Sequence, residues 1–325
     1  MSRWNSIAER SIEGSPPTRE EALEVLRCPK GELLDLLQAA YRVRSHHHGK
    51  TVKLHILLNA MSGMCPEDCT FCSQSIVSKG EIERYRLMTK EEIVSAAKKA
   101  KENKAWKFCI VTSTRGPNDK QLDVICDAVR EIKETVGIRI CTSLGIVTEN
   151  QAVQLKEAGV DRFNHNLETS ADHYESICST HTYQDRVQTV EKVRAAGMEA
   201  CSGGILGMGE SLEDIVELAF ATRKLGVESI PVNFLNPRPG TPLEELDLPE
   251  PDLCLKTLCL LRFVNPDKDI RAAGGRELAL RSMQPFVLYP CNSMFTDGYL
   301  TTDGNKPNED HQMIEDMGFE VVVES

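Results

Sequence analysis

No stretch of the 325-residue chain is apolar over the length a membrane span needs, which points away from the membrane. The opening "MSRWNSIAERSIEGSPPTREE" lacks an apolar central run and carries Glu9, Glu13, Glu20 and Glu21. It reads as neither a secretory signal nor an acid-poor transit peptide, so the expected location is cytoplasmic. Basic charge is scarce, with 38 Lys and Arg against 49 Asp and Glu and a formal net charge of -11. That balance argues against a broad electrostatic grip on nucleic acid or an anionic membrane and favours small-molecule partners. Low-complexity tracts and long linkers are also missing. Twelve cysteines are present, and in a reducing compartment they are better read as buried residues and metal ligands than as disulfide partners.

What is present is an alternation of short, β-branched apolar runs with longer amphipathic segments. After a helical extension over residues 1–50, opened by the capping box Thr18-x-x-Glu21, eight strand candidates follow. They are "VKLHILLN" (52–59), "KFCIVTS" (107–113), "IRICTSL" (138–144), "DRFNHNL" (161–167), "MEACSGG" (198–204), "SIPVNFL" (229–235), "DIRAAGG" (269–275) and "PFVLYPCNS" (285–293). Helix starts are marked by Thr89-x-x-Glu92, Thr148-x-x-Gln151 and Ser211-x-x-Asp214, and stops by Gly159, Gly197 and Gly226. Eight βα units over residues 51–325 predict an α/β fold, a (β/α)8 TIM-type barrel with its site at the C-terminal ends of the strands. An open doubly wound sheet is the alternative.

Directly after the first strand candidate comes "CPEDCTFCSQS", with Cys65, Cys69 and Cys72 spaced C-x3-C-x2-C. A structural zinc site needs four ligands, and no fourth Cys or His follows at a suitable distance. A thioredoxin-type dithiol has no use for a third thiol. Three thiolates on one loop suit three irons of a [4Fe-4S] cube whose fourth iron stays open. Three core cysteines would be the plain reading, but the segment is too polar for a core. Cys109, Cys141 and Cys201 lie on strand candidates two, three and five, and Arg271 on seven. Any one strand cysteine is most simply a small buried hydrophobe. In a closed barrel, however, inward positions of different strands converge, so these four side chains meet in the lumen, where an arginine needs a partner.

With Phe71 as its aromatic, C-x3-C-x-aromatic-C resembles the signature of the radical S-adenosylmethionine (SAM) superfamily. The wider wording, together with "FNHNLETS", "TYQDRVQTVEKVRAAG", "CSGGILGMGE", "VNFLNPRPGTPL" and "IRAAGGRE", resembles the biotin synthases, from about Val52 to residue 300. The resemblance implies an enzyme, a sulfurtransferase of biotin biosynthesis that turns dethiobiotin into biotin. It implies a [4Fe-4S] cluster on Cys65, Cys69 and Cys72, whose open iron chelates SAM and whose electron releases a 5'-deoxyadenosyl radical. It also implies an auxiliary [2Fe-2S] cluster on Cys109, Cys141, Cys201 and Arg271 that donates the sulfur. A flavodoxin or ferredoxin-type electron donor and a homodimer are further expectations from the family.

By the same resemblance, Phe71, Asn166, Glu168, Arg186, Gly203 and Gly204 belong to the SAM site, and Asn164, Asn166 and Asn233 face the ureido ring of the substrate. Period two puts Asn164, Asn166 and Glu168 on one strand face, hard to satisfy in an apolar barrel without a ligand. Many biotin synthases have aspartate at the Glu168 position. The glycine pair would let a ligand approach the backbone, an ordinary loop being the alternative. For Arg186 the alternative is an exposed helix arginine. His46, His47 and His48 read as a solvated loop, Cys126, Cys254 and Cys259 as core, and Cys28 and Cys178 carry no discernible role. Cys291 replaces an alanine common in related sequences and would lie near the lumen or fill a small-residue position. Two other functions remain: a related radical SAM enzyme with a different small substrate, and a non-enzymatic iron-sulfur carrier or scaffold. Lipoyl synthases would need a further N-terminal cysteine triad.

Overall fold

The helix starts show how closely local sequence and local structure agree. In a computed structural model that describes residues 2–63 and 65–323, Thr18, Thr89, Thr148 and Ser211 each accept a hydrogen bond from the backbone three residues on, whose side chain accepts in turn from the cap residue's backbone N–H. Helices Arg19–Leu26, Lys90–Glu102, Glu149–Ala158 and Leu212–Leu225 follow these boxes. Gly159 and Gly226 close the last two in left-handed backbone, with φ of 107° and 62°, which costs a residue without Cβ little.

Among the described residues, ten parallel strands form around this frame: β1 (Thr51–Met61), β2 (Lys107–Thr112), β3 (Arg139–Ser143), β4 (Arg162–Asn164), β5 (Glu199–Cys201), β6 (Gly204–Leu206), β7 (Ser229–Phe234), β8 (Asp269–Ala272), β9 (Ser293–Phe295) and β10 (Glu320–Val321). Each pairs with the next around a ring, β5 and β6 together occupy the fifth position, and β1 pairs with β9. That last ladder closes the sheet into a (β/α)8 barrel and excludes the open doubly wound alternative. β10 adds outside the ring, against the start of β1.

The eighth strand is displaced from its expected place. Residues 285–293 were read as strand, but Arg281–Leu288 forms a 3-10 helix, and the strand begins only at Ser293. Pro285 and Pro290 account for this, since neither has a backbone N–H to give a ladder. A second difference concerns His46, His47 and His48, which form the last turn of helix Leu33–His48 rather than a loop. His48 is drawn into the structure, with its ring nitrogens at 3.2 Å from Arg262 Nη1 and 3.4 Å from Asn292 Nδ2.

Helix Leu33–His48 lies on helix Pro251–Val264, which is buried at every residue from Cys254 to Val264. A helix apolar on most sides needs cover on two, and the barrel wall and the N-terminal helices supply it. Cys126, Cys254 and Cys259 are core residues, as expected, and Cys28 joins them. Cys291 joins the same apolar layer instead of the lumen.

The C-terminal helix Pro307–Asp316 is tied down by one buried pair. Arg276 Nη2 donates to both oxygens of Asp310, at 2.8 and 2.7 Å, and neither side chain is solvent-accessible. Removing one partner of a buried pair typically costs about 3–5 kcal/mol, and Glu277 Oε1, 3.3 Å from Arg276 Nη2, offsets part of that here. Asp310→Ala is therefore expected to lower unfolding free energy by up to about 3 kcal/mol in a denaturant melt; a loss under about 1 kcal/mol contradicts this role for the pair.

Candidate active site in the barrel lumen

The loop after β1 is irregular because its acids are pulled aside. Glu67 is buried and accepts from Arg115 Nη1 at 3.1 Å and Thr180 Oγ1 at 2.6 Å, and stands 2.5 Å from His181 Nδ1. Asp68 accepts from the backbone N–H groups of Ser179 and Thr180 at 3.0 and 3.1 Å. These bonds staple the loop to residues 177–181 and leave Cys65, Cys69 and Cys72 lining one cavity of about 390 Å³. Phe71 lines it too, packed against the small apolar cluster of Tyr174, Ile177 and Met208. Burial pushes the Cys72 thiol up to about 11 and raises Cys65 as well. Metal loading here must therefore displace protons.

The middle of the cavity is polar. Asn164, Asn166 and Glu168 all line it, but not by strand alternation: β4 ends at Asn164, and His165 between them lines the cavity as well. Asn164 Nδ2 donates to Ser143 Oγ at 3.3 Å, and Asn166 Nδ2 to Glu168 Oε2 at 3.3 Å. Glu168 adopts φ of 70°, a left-handed conformation uncommon for a side-chain-bearing residue. Burial raises its carboxyl above the usual range, and the Arg186 guanidinium opposes that. Arg186 is not an exposed helix arginine. It is buried, donating from Nε to Tyr174 Oη at 2.5 Å and from Nη1 to the Asn166 carbonyl at 2.9 Å, with Glu168 Oε1 at 3.5 Å. Asn233 lines the cavity across from these, fixed by Gly204 O at 3.3 Å and Gly274 N at 3.0 Å.

Gly203 and Gly204 are crowded by neighbouring backbone. A Cβ on Gly203 would sit 1.9 Å from the Pro231 carbonyl oxygen, and one on Gly204 2.3 Å from that of Glu168. Neither glycine lines the cavity, whereas Ile205 does. The pair serves close packing of backbone on backbone, and through Gly204 it sets where Glu168 stands.

Deeper in the lumen are Cys109, Cys141, Cys201 and Arg271, from β2, β3, β5 and β8, all buried. Cys109 pairs in register with Cys141. Arg271 donates from Nη1 to Cys201 Sγ at 3.7 Å and from Nη2 to Ser229 Oγ at 2.8 Å, and its guanidinium lies 5.1 Å from the Phe295 ring centre. Its Nε has no partner. Below, Arg162 holds Glu199 at 2.7 Å and Asp269 at 3.2 Å, Lys107 holds Glu199 at 3.1 Å, and Lys53 holds Asp269 at 2.9 Å.

Three contributors escaped the sequence reading. His55, on β1, is fully buried with both ring nitrogens unpartnered, and burial, then Arg271, holds it neutral. Cys178 lies with its Sγ 3.8 Å from Cys69 Sγ, and His181 beside it. No local signal marked them, because the loop brings them together across more than 100 residues. Residues 299–302 also wall the cavity, with Thr301 Oγ1 2.8 Å from Ser73 Oγ.

Comparisons with known proteins cover nearly the whole chain. Residues 60–221 match the family model of the radical SAM superfamily, and residues 231–320 that of the biotin and thiamin synthesis associated domain. Over 99% of its length the chain is 52% identical to the biotin synthase of Salinibacter ruber, covering 90% of that protein. It is 48% identical to the biotin synthase of Bacillus subtilis, over 99% of this chain and 96% of that one. The chain belongs to the biotin synthase family. Among solved structures, methylornithine synthase superposes with a TM-score of 0.85 at 22% identity, covering 97% of both chains. The FeFe-hydrogenase maturase HydG from Carboxydothermus hydrogenoformans gives 0.84 at 21%, over 99% of this chain and 80% of that one. At those identities the likeness is one of fold. No helix of the described residues is long and apolar enough to cross a membrane.

The glycine geometry yields a test. Gly204→Ala is expected to cost about 1–3 kcal/mol of stability, because the obstacle is backbone and cannot turn away. It should also displace Glu168 and weaken SAM binding in a titration. Unchanged melting and unchanged affinity would contradict the packing role.

Proposed function

We propose that this chain forms biotin from dethiobiotin with a division of labour along the lumen. Cys65, Cys69 and Cys72 hold a [4Fe-4S] cluster at the mouth, and Cys109, Cys141, Cys201 and Arg271 hold the auxiliary cluster below. When bound, the first group with SAM supplies a 5'-deoxyadenosyl radical, and the second supplies the sulfur of the thiophane ring. Membership of the family supports both cofactors and the substrate.

The protein's own contribution is placement. Glu168 and Arg186 lie together on one wall, so a carboxylate acceptor suits the ribose diol of SAM while the guanidinium suits its carboxylate. Asn164, Asn166 and Asn233 offer amide donors and acceptors to a neutral ureido ring between the two metal sites. Residues 299–302 and the loop at Cys72 wall the same cavity and are joined by the Ser73–Thr301 contact. A flavodoxin or ferredoxin-type donor, a homodimer and a cytoplasmic setting complete the proposal.

The observation that carries this reading is the deep layer: three buried thiols beside a buried guanidinium that has no carboxylate of its own. Arg271 Nε, without a partner among the described residues, is a buried donor that an anionic iron-sulfur group would satisfy. Anaerobic reconstitution with SAM, a reductant and dethiobiotin should give 5'-deoxyadenosine and biotin by mass spectrometry. Cys201→Ala should keep the mouth cluster and SAM cleavage, lose the deep iron signal in Mössbauer spectra, and make no biotin. Deoxyadenosine without a sulfur-containing product from the unaltered chain would redirect the search to another substrate.

A further inference from the structure

Cys69 has a neighbouring thiol that the cluster does not use. Cys178 Sγ lies 3.8 Å from Cys69 Sγ, and both residues are buried in the small apolar cluster with Tyr174, Ile177 and Met208. Residues on either side of the two cysteines are bonded to each other. Thr70 N donates to the Ile177 carbonyl at 2.9 Å, and Asp68 Oδ1 accepts from Ser179 N at 3.0 Å. The sulfurs therefore stay face to face as long as the loop stays stapled. The remaining approach, to a disulfide length of about 2.05 Å, falls to rotation about the two Cα–Cβ bonds.

The two sulfurs differ in access. Cys69 lines the cavity of about 390 Å³ together with Cys65 and Cys72, and Cys178 does not. A small oxidant entering by the mouth meets Cys69 first. Oxidation of a cysteine passes through a sulfenic acid, which a thiol within reach converts to a disulfide. Without such a thiol it goes on to the sulfinic and sulfonic acids, which thiol reductants do not reverse. Cys178 supplies the thiol within reach, its sulfur fixed by contacts of 3.3 Å with Asp68 Oδ1 and His181 Nδ1.

We propose that in the cluster-free chain Cys69 and Cys178 form a peroxide-driven disulfide, with Cys178 as the resolving thiol. Hydrogen peroxide or an organic hydroperoxide gives one oxygen to Cys69 Sγ, forming the sulfenic acid and releasing water or the alcohol. Cys178 Sγ then attacks the Cys69 sulfur, the S–O bond breaks, and the hydroxyl leaves as water with the Cys178 proton. Together the two thiols lose two electrons, and one peroxide O–O bond is reduced. The disulfide spares Cys69 the irreversible acids. Because it ties up a thiol of the mouth set, it also holds back iron loading until a thiol reductant reopens it. That last consequence rests on the cluster reading above, and the disulfide does not.

The test uses the full chain, iron-free and reduced, treated anaerobically with one equivalent of hydrogen peroxide. Intact mass should fall by two hydrogen atoms per chain, and a non-reducing digest should show the Cys69 peptide joined to the Cys178 peptide. Cys69 joined to Cys65 or Cys72, or oxygenated while Cys178 stays a free thiol, overturns the pairing. Cys178→Ala should carry oxygen on Cys69 instead. At a dose that takes Cys69 of the variant to the sulfinic acid, dithiothreitol should return Cys69 to the free thiol in the natural chain and not in the variant. Equal return in both overturns the protective role. Never exposed to peroxide, the variant should assemble the mouth cluster, showing that it folds. The disulfide form of the natural chain should take up that cluster more slowly than the reduced form, and at the same rate once dithiothreitol has opened it; equal rates throughout overturn the block on loading. A chain that forms the Cys69–Cys178 bond but assembles no cluster even when reduced would leave the disulfide standing and remove the cluster reading instead.

Discussion

A guanidinium placed in the closed lumen of a barrel must find an anion, and Arg271 finds none among its own side chains. The two carboxylates nearby, Glu199 and Asp269, are already held by Arg162, Lys107 and Lys53. The lower lumen thus places four cations against two carboxylates, with a neutral His55 adding no negative charge. Burying such an excess is costly without compensation. Three thiols on β2, β3 and β5, able to carry negative charge once metal-bound, are the available remedy. The rest follows from that constraint: the closed β1–β9 seam, the ionic floor that orients the strands' inward residues, and the position of the asparagine layer just above.

Much of this was legible in the sequence, because the signals were local. Capping boxes, the glycines that stop helices and the β-branched runs each express a rule spanning a few residues, so the barrel could be read without knowing its contacts. Convergence of Cys109, Cys141, Cys201 and Arg271 was legible for a different reason, since closing a barrel brings inward strand positions together whatever their separation. The eighth strand was misplaced because an apolar run containing Pro285 and Pro290 looks strand-like by composition while lacking the donors a strand needs.

What stayed hidden was long-range. Arg186 looks like a surface residue on its helix, and only the approach of Tyr174 and Glu168 shows it buried. The glycine pair signalled a close approach correctly, but what approaches is the Pro231 and Glu168 backbone. Cys178 carries no pattern of its own; the loop acids Glu67 and Asp68 draw residues 177–181 onto the cluster thiols, and that fold-back gives it neighbours. The same staple explains how a loop of mixed polarity presents three thiols in one direction.

The most direct test of this account follows the sulfur. The chain would be reconstituted with iron and isotopically heavy sulfide, freed of unbound sulfide, and then run for a single turnover with SAM, reductant and dethiobiotin in the presence of light sulfide. Biotin carrying the heavy isotope, formed as the deep-site iron spectrum disappears, is the predicted result. Biotin carrying light sulfur, with that spectrum intact, would contradict the claim that the thiols and Arg271 of the lower lumen hold the sulfur that enters the product.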